Sequence, residues 1–575
     1  MRAVIVCAVA LGLITFPTLA RPDGTKEKET DAKAKEGAKP TTLAATNEPA
    51  KNGGPASAER AAVEVELQRV HELLKVQAEE LESQRSEFQQ AIEEQRKQIE
   101  ILRAELRSAH SGSASTESGP ANVKVASASA PSGSASVQPV SFPPGPASDQ
   151  KPASPLSVRI GSADFTPGGW IDFTAFFRTT NVGSGIGTSF GSIPFNNVTA
   201  GRLTETRFSA QNSRLNLKVT ANPGDFNITG FAEADFVGLQ PGNVFVTSNS
   251  NAPRMRLYWV DVKRGKWEFL GGQSWSYLTP NRNGISPLPG DIFAGLQIDP
   301  NNHVGLTWTR APQFRIAYHP NQNWAVGIAF ESPEQFIGGA VTLPSTISAV
   351  YLGELNNGAL TTTPNLHPDI LPKIAYDGHV GDRHMHIEAV GVVRSFRVFN
   401  PVTSSTSTVT GGGGSLNLNL ELLKNFHLIA NTFWSDGGGR YTFGLGPDLI
   451  IRGDGTPSLV HAGSALGGFE WQANANNLIF SYYGAVYFQR NTSIDPATGR
   501  PVGFGFSGSS SSANRDVQQS TLGFVHTLWK NENFGGLQLI PAYSYVMRSP
   551  WFVASGTPKN AHESQVYLDL RYVIP

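Results

Sequence analysis

The chain has 575 residues and a formal net charge of −1, so its overall charge gives no sign of a nucleic-acid partner, and we expect none. Only 16% of its residues are charged, whereas 59 are glycine and 10% are aromatic, a balance typical of a turn-rich β-protein rather than of a helical enzyme. Beyond residue 20, no apolar run approaches the ~18 residues that a membrane-spanning helix needs. A membrane form of this chain would therefore have to be a closed β-barrel, because unpaired backbone groups are costly in hydrocarbon.

Residues 1–20 have the pattern of a secretory signal peptide. Arg2 supplies a positive start, residues 4–14 form an apolar run, and Thr18-Leu19-Ala20 is a small-residue cleavage site. The single cysteine, Cys7, lies inside this segment. The mature chain would then have no cysteine, which excludes disulfides, thiolate catalysis and cysteine-ligated metals.

Residues 21–58 carry almost no large apolar side chain, and we interpret them as a disordered tether. Residues 59–107 contain neither Gly nor Pro and predict a helix on the order of 70 Å long. Its heptad seam contains one stutter and three glutamines, which could fix its register or strand number. The seam consists of Val63, Leu67, Val70, Leu74, Gln77, Leu81, Gln84, Phe88, Ile92, Gln95, Ile99, Leu102 and Leu106. A solitary charged helix would not keep such a seam, so we predict a self-associating coiled coil. Residues 108–156 are rich in Ser, Ala, Pro and Gly, which is typical of a flexible linker.

The hairpin in residues 204–238 shows strand alternation most fully. Leu215 and Leu217 alternate with polar residues before the turn at residues 222–225, and apolar and charged residues alternate again after it. One face is therefore apolar and the other is charged. In a soluble sandwich the charged face would be outside, whereas in an outer-membrane barrel the apolar face meets lipid and the charged face lines water.

Residues 157–575 contain sixteen predicted strands, joined alternately by short turns and long loops. After residue 360 the strands begin near Ile370, Arg383, Gly414, Phe426, Ala462, Leu478, Val517, Phe534 and Ser564. Short turns on one rim and long loops on the other are typical of an outer-membrane barrel, whereas a soluble sandwich would scatter its loop lengths. The predicted fold class is all-β, a 16-stranded antiparallel transmembrane β-barrel preceded by an α-helical coiled coil.

The strand count requires residues 303–319 to form one long strand, bulged at Ala311-Pro312 because a bulge needs no ladder donor. It also places a long loop at residues 400–413. Aromatic residues near strand ends predict an interface belt, in which amphipathic rings lie at the membrane boundary. These residues are Trp170, Trp259, Trp324, Trp434, Trp529 and Tyr572.

Five short motifs stand on the early strands and at the C-terminus. They are Ser213-Arg214-Leu215, Glu233-Ala234-Asp235-Phe236, Arg254-Met255-Arg256-Leu257-Tyr258, Gly272-Gln273-Ser274-Trp275 and Tyr567-Leu568-Asp569-Leu570-Arg571-Tyr572. With the coiled coil before them, they resemble the DcaP-like family of trimeric porins. The resemblance implies an outer-membrane homotrimer, associated through its coiled coil and barrel walls, with a three-stranded rod in the periplasm. One departure is the terminus Val573-Ile574-Pro575, because outer-membrane barrels commonly end in an aromatic residue.

Charged residues on the polar strand faces are the candidate pore lining, since rings of charge select ions. By alternation they are Arg214, Lys218, Glu233, Asp235, Arg254, Arg256, Arg315, Lys373 and Arg394. Any of them could instead be a structural charge, and Arg207 has the opposite parity and would join them only past a bulge. The resemblance implies anion-favouring channels for small carboxylates. We therefore expect passive diffusion of small hydrophilic, preferably anionic, solutes.

The long loop at residues 274–302 is a candidate constriction, because Pro280, Pro287, Pro289 and Gly284 would stiffen it without making it regular. The alternative is a surface loop packed against a neighbouring subunit, and the sequence leaves both open.

Parts of the sequence also suggest two other functions. His384, His386 and Glu388 alternate on one strand and could bind a metal. However, they lack the helical His-Glu-x-x-His arrangement, so we expect no metal, no cofactor and no enzyme activity. The other alternative is a structural outer-membrane anchor, in which the coiled coil tethers the envelope and the barrel transports little.

Overall fold

The computed structural model describes residues 154–238, 251–288, 303–338, 340–346, 348, 355 and 364–575. The predicted signal peptide, tether and coiled coil lie outside these residues, as does nearly all of the linker. Parts of the predicted loops at residues 239–252 and 274–302 also lie outside them. The boundaries of those N-terminal segments therefore stay predictions from the sequence.

The described residues form twenty-two strands and three short 3-10 helices. The strands are β1 (Val158–Ile160), β2 (Ala163–Arg178), β3 (Glu205–Ser209), β4 (Arg214–Ala221), β5 (Phe226–Asp235), β6 (Arg254–Arg264), β7 (Trp267–Trp275), β8 (Arg310–Tyr318), β9 (Trp324–Glu331), β10 (Asp369–Val380), β11 (Arg383–Asn400), β12 (Ser405–Leu423), β13 (Phe426–Asp436), β14 (Leu449–Ile451), β15 (Pro457–Leu459), β16 (His461–Asn474), β17 (Asn477–Phe488), β18 (Asn491–Ile494), β19 (Pro501–Phe504), β20 (Asn514–Asn531), β21 (Gly535–Pro550) and β22 (Ala561–Val573). The 3-10 helices are Phe190–Ser192, Thr199–Arg202 and Gly439–Tyr441. No helix within the described ranges has the length and apolar character needed to cross a membrane.

The wall is a closed antiparallel barrel. Its last strand, β22, returns to pair with β2, from Trp170 opposite Val573 to Arg178 opposite Gln565. Both β3 and β4 pair with β2 and form one wall strand that is interrupted at residues 210–213. β14–β15 and β18–β19 are separate hairpins, and β1 pairs with the start of β2. The wall therefore has sixteen strands, which confirms the predicted count.

The two ends of the barrel differ in their connections. At one end, the short-turn rim, the strands reverse in a few residues, and Gly224 and Gly265 adopt φ values of +63° and +56° in two of these turns. This left-handed conformation favours glycine. At the other end, the long-loop rim, the connections include residues 179–204, 332–368 and 437–460. The alternation of loop lengths therefore gives the barrel two unlike ends, as predicted.

Side chains of the wall alternate between an apolar outer face and a polar inner face. In β22, Val566 and Leu568 are exposed, whereas Asp569 and Arg571 are buried. The hairpin at residues 204–238 follows the same rule. An apolar outside and a charged inside suit a wall between hydrocarbon and water, and reverse the arrangement of a soluble protein.

The largest apolar cluster lies at the long-loop rim. Phe190 and Leu449, from two of the long loops, pack there with Phe396, Phe488 and Val546 from β11, β17 and β21. Burial of each of these side chains contributes roughly 1.5–3 kcal/mol. The long loops are therefore packed against the inner faces of the strands at this rim.

The predicted long strand at residues 303–319 is wrong in its first half. β8 begins at Arg310, and residues 303–309 leave the wall and enter the barrel. The alternation of apolar residues there reflects packing against the inner wall, because Val304 and Leu306 are buried in the interior clusters. Alternating apolar residues therefore do not distinguish a strand of the barrel wall from an extended segment that packs on the inside of the wall.

The predicted bulge at Ala311-Pro312 is also absent. Pro312 stands opposite Gln273 in a ladder without a register shift. Its carbonyl accepts the backbone N–H of Ser332, one residue beyond the last β8–β9 pair. Proline has no N–H to donate, but its position lies just beyond the end of the β8–β9 ladder, where no donor is required. The strand therefore needs no bulge there.

The long loop predicted at residues 400–413 is a tight connection of residues 401–404. β11 and β12 stay paired as far as Asn400 opposite Ser405. Four of the six residues from Ser405 to Thr410 are β-branched, and such residues favour strands. The hairpin therefore extends further than the glycines at residues 411–414 suggest.

Two members of the predicted aromatic belt face inward. Trp259 is buried and stacks on Phe231 at 5.5 Å between ring centroids, and the ring of Trp170 lies under the Arg214 guanidinium at 4.3 Å. A register shift between β5 and β6 at Glu233 changes which side chains of β6 point inward. Trp324, Trp434, Trp529 and Tyr572 are exposed, as predicted.

Candidate functional site

Between β7 and β8 the chain leaves the wall and runs through the barrel interior. We call the described parts of this connection, residues 276–288 and 303–309, the inner strap. Tyr277, Leu278 and Arg282 are buried within it, and its polar groups contact the inner faces of β10, β11, β12 and β16. Of the two alternatives for the loop at residues 274–302, its described part follows the inward one.

The first half of the strap is held by Lys373 of β10 and Glu388 of β11. The Lys373 ammonium lies 2.8 Å from Glu388 Oε2, and donates to the Tyr277 carbonyl at 3.1 Å and to Asn281 Oδ1 at 2.8 Å. Glu388 Oε1 accepts the Asn281 backbone N–H at 3.1 Å. All of these groups are buried and satisfy one another, as buried charges require. Lys373, a predicted pore-lining residue, therefore braces the strap.

Arg282 ties the strap to a second part of the wall. Its two terminal nitrogens donate to the carboxylate of Glu470 on β16 at 2.9 and 2.8 Å, and Tyr482 donates to the same carboxylate at 2.8 Å. Asn419 of β12 donates to the Arg282 carbonyl at 3.2 Å. A bidentate guanidinium–carboxylate pair fixes geometry as well as charge. An arginine inside a proline- and glycine-rich loop was the only sequence signal for this anchor.

The second half of the strap is held by neutral contacts. Gln519 Oε1 accepts the Val304 backbone N–H at 2.9 Å, and Asn431 Oδ1 accepts the Thr307 hydroxyl at 2.7 Å. The backbone of the strap also passes close to the backbone of β17. A Cβ added to Gly484 would lie only 1.8 Å from the Val304 carbonyl oxygen. Only glycine fits at that position of β17.

Five of the predicted pore residues form one connected wall on β4, β5 and β6. Arg256 donates to Glu233 at 2.8 Å and to Asp235 at 2.7 Å, while Arg254 donates to Asp235 at 2.6 and 3.0 Å. Arg214 lies 3.7 Å from Glu233. The sequence-based interpretation of opposite charges sharing one wall agrees with this geometry.

Three cations on the inner face of the early strands are open to solvent while their carboxylate partners are covered, in contrast to the buried Arg256 and Arg214. Side-chain exposure is 34% for Arg254 against 3% for Asp235, and 48% for Arg207 against 6% for Glu205. Lys263, further along β6, shows the same contrast with its carboxylate partners. The inner surface therefore presents positive charge, with the negative charge behind it. Arg207 reaches this surface because the interruption at residues 210–213 changes the parity, as expected.

Arg310 adds a guanidinium that is not among the predicted pore-lining residues. It lies 5.6 Å from the Trp275 ring and interacts electrostatically with Arg254, Arg256 and Asp235. Its Nη1 is buried and has no hydrogen-bond partner among the described residues. Its parity along β8 is opposite to that of the inward Arg315, so alternation alone assigns it to the outer face.

Two further candidates brace other parts of the interior. Arg315 donates to Gln313 at 2.6 Å, and its guanidinium lies 4.4 Å from the ring of Tyr277 in the strap. Arg394 is buried between Asp369 at 3.0 Å and Asp448 at 2.9 Å, and so ties a long loop to the wall.

Tyr441 completes the Arg394 cluster by donating to Asp369 at 2.8 Å. Burial raises the pKa of the Tyr441 phenol well above its ordinary value, so it remains a donor. Lys218 is exposed and pairs across the ladder with the buried Phe231, which places it on the inner face near the short-turn rim.

The histidines on β11 belong to a hydrogen-bond network. His386 lies between Asp377 at 2.8 Å and Glu388 at 3.2 Å, and His384 lies 3.6 Å from Asp377. Asp377 also accepts the Gly284 backbone N–H at 2.9 Å, so this network adds to the anchoring of the strap. Within the described ranges, no three His, Cys, Asp or Glu side chains are grouped as a metal site requires.

No protein-family model matches the chain, and no curated protein does. Among solved structures, the outer membrane channel DcaP of Acinetobacter baumannii is similar with a TM-score of 0.52 and 17% identity, over 72% of this chain and 98% of that one. Weaker likenesses include an anion-selective porin from Comamonas acidovorans, with a TM-score of 0.40, 11% identity and coverage of 72% and 100%. Another is OmpT of Vibrio cholerae, with a TM-score of 0.38, 10% identity and coverage of 72% and 99%. The chain therefore has the fold of a DcaP-like porin, as its sequence motifs indicated.

Proposed function

We propose that this protein is an outer-membrane porin through which small hydrophilic solutes, preferably anions of the carboxylate type, diffuse passively. The observation that carries the proposal is the asymmetry of the inward ion pairs, in which Arg207, Arg254 and Lys263 are open while their carboxylates are covered. A solute in the lumen would meet the cations first. Selection by charge in a narrow aqueous path then favours anions.

The magnitudes support selectivity without tight binding. Screening limits exposed charges to about 8 Å at physiological salt, so the cations act on solutes passing close to the wall. The carboxylates paired with these cations reduce the net electric field in the lumen. An anionic solute therefore stays at the wall only briefly, as permeation requires. The wall therefore favours anions as a group rather than one ligand.

The closed barrel and its apolar outer face support a membrane location. Leu215, Leu416 and Leu568 are exposed on the outside, where they would face lipid or a neighbouring barrel. The similar DcaP structure is described as an outer membrane channel. We place this barrel in the same membrane, with the coiled coil of residues 59–107 in the periplasm.

The ion preference can be measured as the reversal potential of the purified protein in planar bilayers under a potassium chloride gradient. We expect anion preference in the wild type, and a shift towards zero in the double variant Arg207→Gln and Arg254→Gln. Arg264→Gln is a matched control, because Arg264 pairs with Asp225 at the short-turn rim and both side chains are exposed. A wild-type pore that prefers cations would overturn the proposal.

We also propose that residues 59–107 hold three copies together. The heptad seam of this segment supports self-association, and the resemblance to trimeric porins supports three strands. Deleting residues 59–107 and measuring the mass of the purified assembly tests this. Loss of the trimer with conductance preserved would assign the rod a structural role separate from the pore. A trimer that persists without the segment would contradict the proposal.

A further inference from the structure

A cavity of about 410 Å³ opens among the long loops. Its walls include the rings of Phe336 and Phe443, the hydroxyls of Ser189 and Ser512, and the amide of Asn514. Its described lining contains no charged side chain. The volume lies within the ~300–1,000 Å³ typical of small-molecule sites. A neutral, ring-lined cavity of this kind suits an uncharged planar group.

Phe443, which lines the cavity, is the first of a row of aromatic rings that ends at the arginines. Phe443 stacks on Trp308 at 4.9 Å with an interplanar angle of 18°, and Trp308 contacts Trp275 at 5.2 Å. Trp275 in turn lies 5.7 Å from the Arg256 guanidinium and 5.6 Å from that of Arg310. Aromatic surface and positive charge therefore meet at Trp275.

Two donors beside this row lack acceptors among the described residues. Trp308 is 8% exposed, and its indole Nε1 is buried without a hydrogen-bond partner, as is Nη1 of Arg310. Buried donors are nearly always paired in proteins, so two of them flanking one ring call for an explanation. A carboxylate is an acceptor for both kinds of donor.

The backbone of Phe443 gives an independent indication. Its φ is +67°, a left-handed conformation that a bulky side chain rarely adopts. Strain of this kind persists where the surrounding structure requires it, and it concentrates at functional sites. Here it holds the Phe443 ring between the cavity and Trp308.

We propose that the preferred anions carry a planar aromatic ring, and that Phe336, Phe443, Trp308 and Trp275 form a path that passes the ring inward to Arg310. This inference rests on the proposed anion-conducting function and deepens it. The ring stacks in the neutral cavity and moves along the aromatic row, and its carboxylate then reaches the Arg310 guanidinium and the Trp308 indole donor. An aliphatic carboxylate of equal charge has no π-face and gains only the last contact.

The test compares two probes of equal charge and similar size, benzoate and cyclohexanecarboxylate, as blockers of the ion current through the full-length protein in planar bilayers. Each probe is added on the long-loop side. Benzoate should block at a concentration about two- to tenfold lower, the ratio expected from one stacking contact. Phe443→Leu and Phe336→Leu should each bring this ratio towards one and leave the reversal potential unchanged. Phe534→Leu, at the exposed ring of the short-turn rim, is the matched control and should keep the wild-type ratio.

The outcomes separate this inference from the proposed function. Equal block by the two probes in a wild-type pore that still prefers anions would overturn the aromatic path alone. A wild-type ratio retained in both Phe443→Leu and Phe336→Leu would do the same. A pore that prefers cations would overturn both proposals. Because the probe comparison is made on the wild type, it does not depend on any variant folding.

Discussion

The carboxylate of Glu470 on β16 receives both terminal nitrogens of Arg282, at 2.9 and 2.8 Å, although the two residues are 188 positions apart. Arg282 belongs to the inner strap and Glu470 to the wall. This pair therefore crosses from a connection between β7 and β8 to a strand in the second half of the barrel. Because both side chains are buried, the strap is held by a charged contact away from its attachment points.

Arg282→Gln should loosen the strap and leave the wall intact. The glutamine cannot form the bidentate pair, and Glu470 keeps only the Tyr482 hydroxyl among the partners named above. We expect higher single-channel conductance and more open-channel noise, together with a loss of roughly 3 kcal/mol in the free energy of unfolding, because the buried charge of Glu470 loses its cation. Arg264→Gln, at an exposed turn, is the control for removing one arginine. Unchanged conductance and noise would show that the strap does not limit the path.

Lys373→Met should loosen the other end of the strap. The ammonium contacts Glu388 and three acceptors of the strap, whereas the shorter, uncharged methionine side chain satisfies none of them. Leaving Glu388 buried beside fewer partners should lower the free energy of unfolding by roughly 3 kcal/mol. Denaturant unfolding measures this change. The double variant Lys373→Met and Glu388→Gln should recover part of the loss, and a double variant that loses more would contradict the pairing.

Gly484→Ala should displace the second half of the strap. An added Cβ would meet the Val304 carbonyl oxygen at 1.8 Å, so the strap has to move or the wall has to deform. Overpacking of this kind costs about 1–3 kcal/mol of stability. Gly271→Ala is the matched control, because an added Cβ there meets nothing within 4 Å. Denaturant unfolding of the two variants gives the comparison, and equal stability would show that the close approach carries no constraint.

The wall was predictable because its pattern is local. Leu215, Leu217, Val566 and Leu568 alternate with polar residues at a period of two, and a closed barrel leaves only one consistent assignment of faces. The same alternation brought Arg214, Glu233, Asp235, Arg254 and Arg256 to one surface, where the structure finds them in contact. The direction in which each of those side chains points follows from the alternation within its own strand.

The interior was not predictable by the same means, because contacts distant in sequence decide it. The sequence predicts a strand at residues 303–309 because their side chains also alternate. In the structure these residues pack on the inner faces of β17 and β20 and do not pair with a wall strand. Trp259 is predicted near a strand end, but it lies in the middle of β6, and a register shift between β5 and β6 turns it inward. Arg310 has outward parity and still reaches the inner cluster, because it begins a strand as the strap returns to the wall.

Arg310 and Arg256 should respond differently to the same substitution. Arg256 holds two buried carboxylates, so Arg256→Gln should lower the free energy of unfolding by on the order of 3 kcal/mol as well as the anion preference. Arg310 leaves Nη1 without a partner among the described residues, so Arg310→Gln should reduce anion preference at nearly wild-type stability. Reversal potentials and denaturant unfolding measured on both variants separate the two roles. If Arg310→Gln destabilised the barrel as much as Arg256→Gln, its guanidinium would be part of the structural wall, and the open positive charge would have to come from Arg207, Arg254 and Lys263 alone.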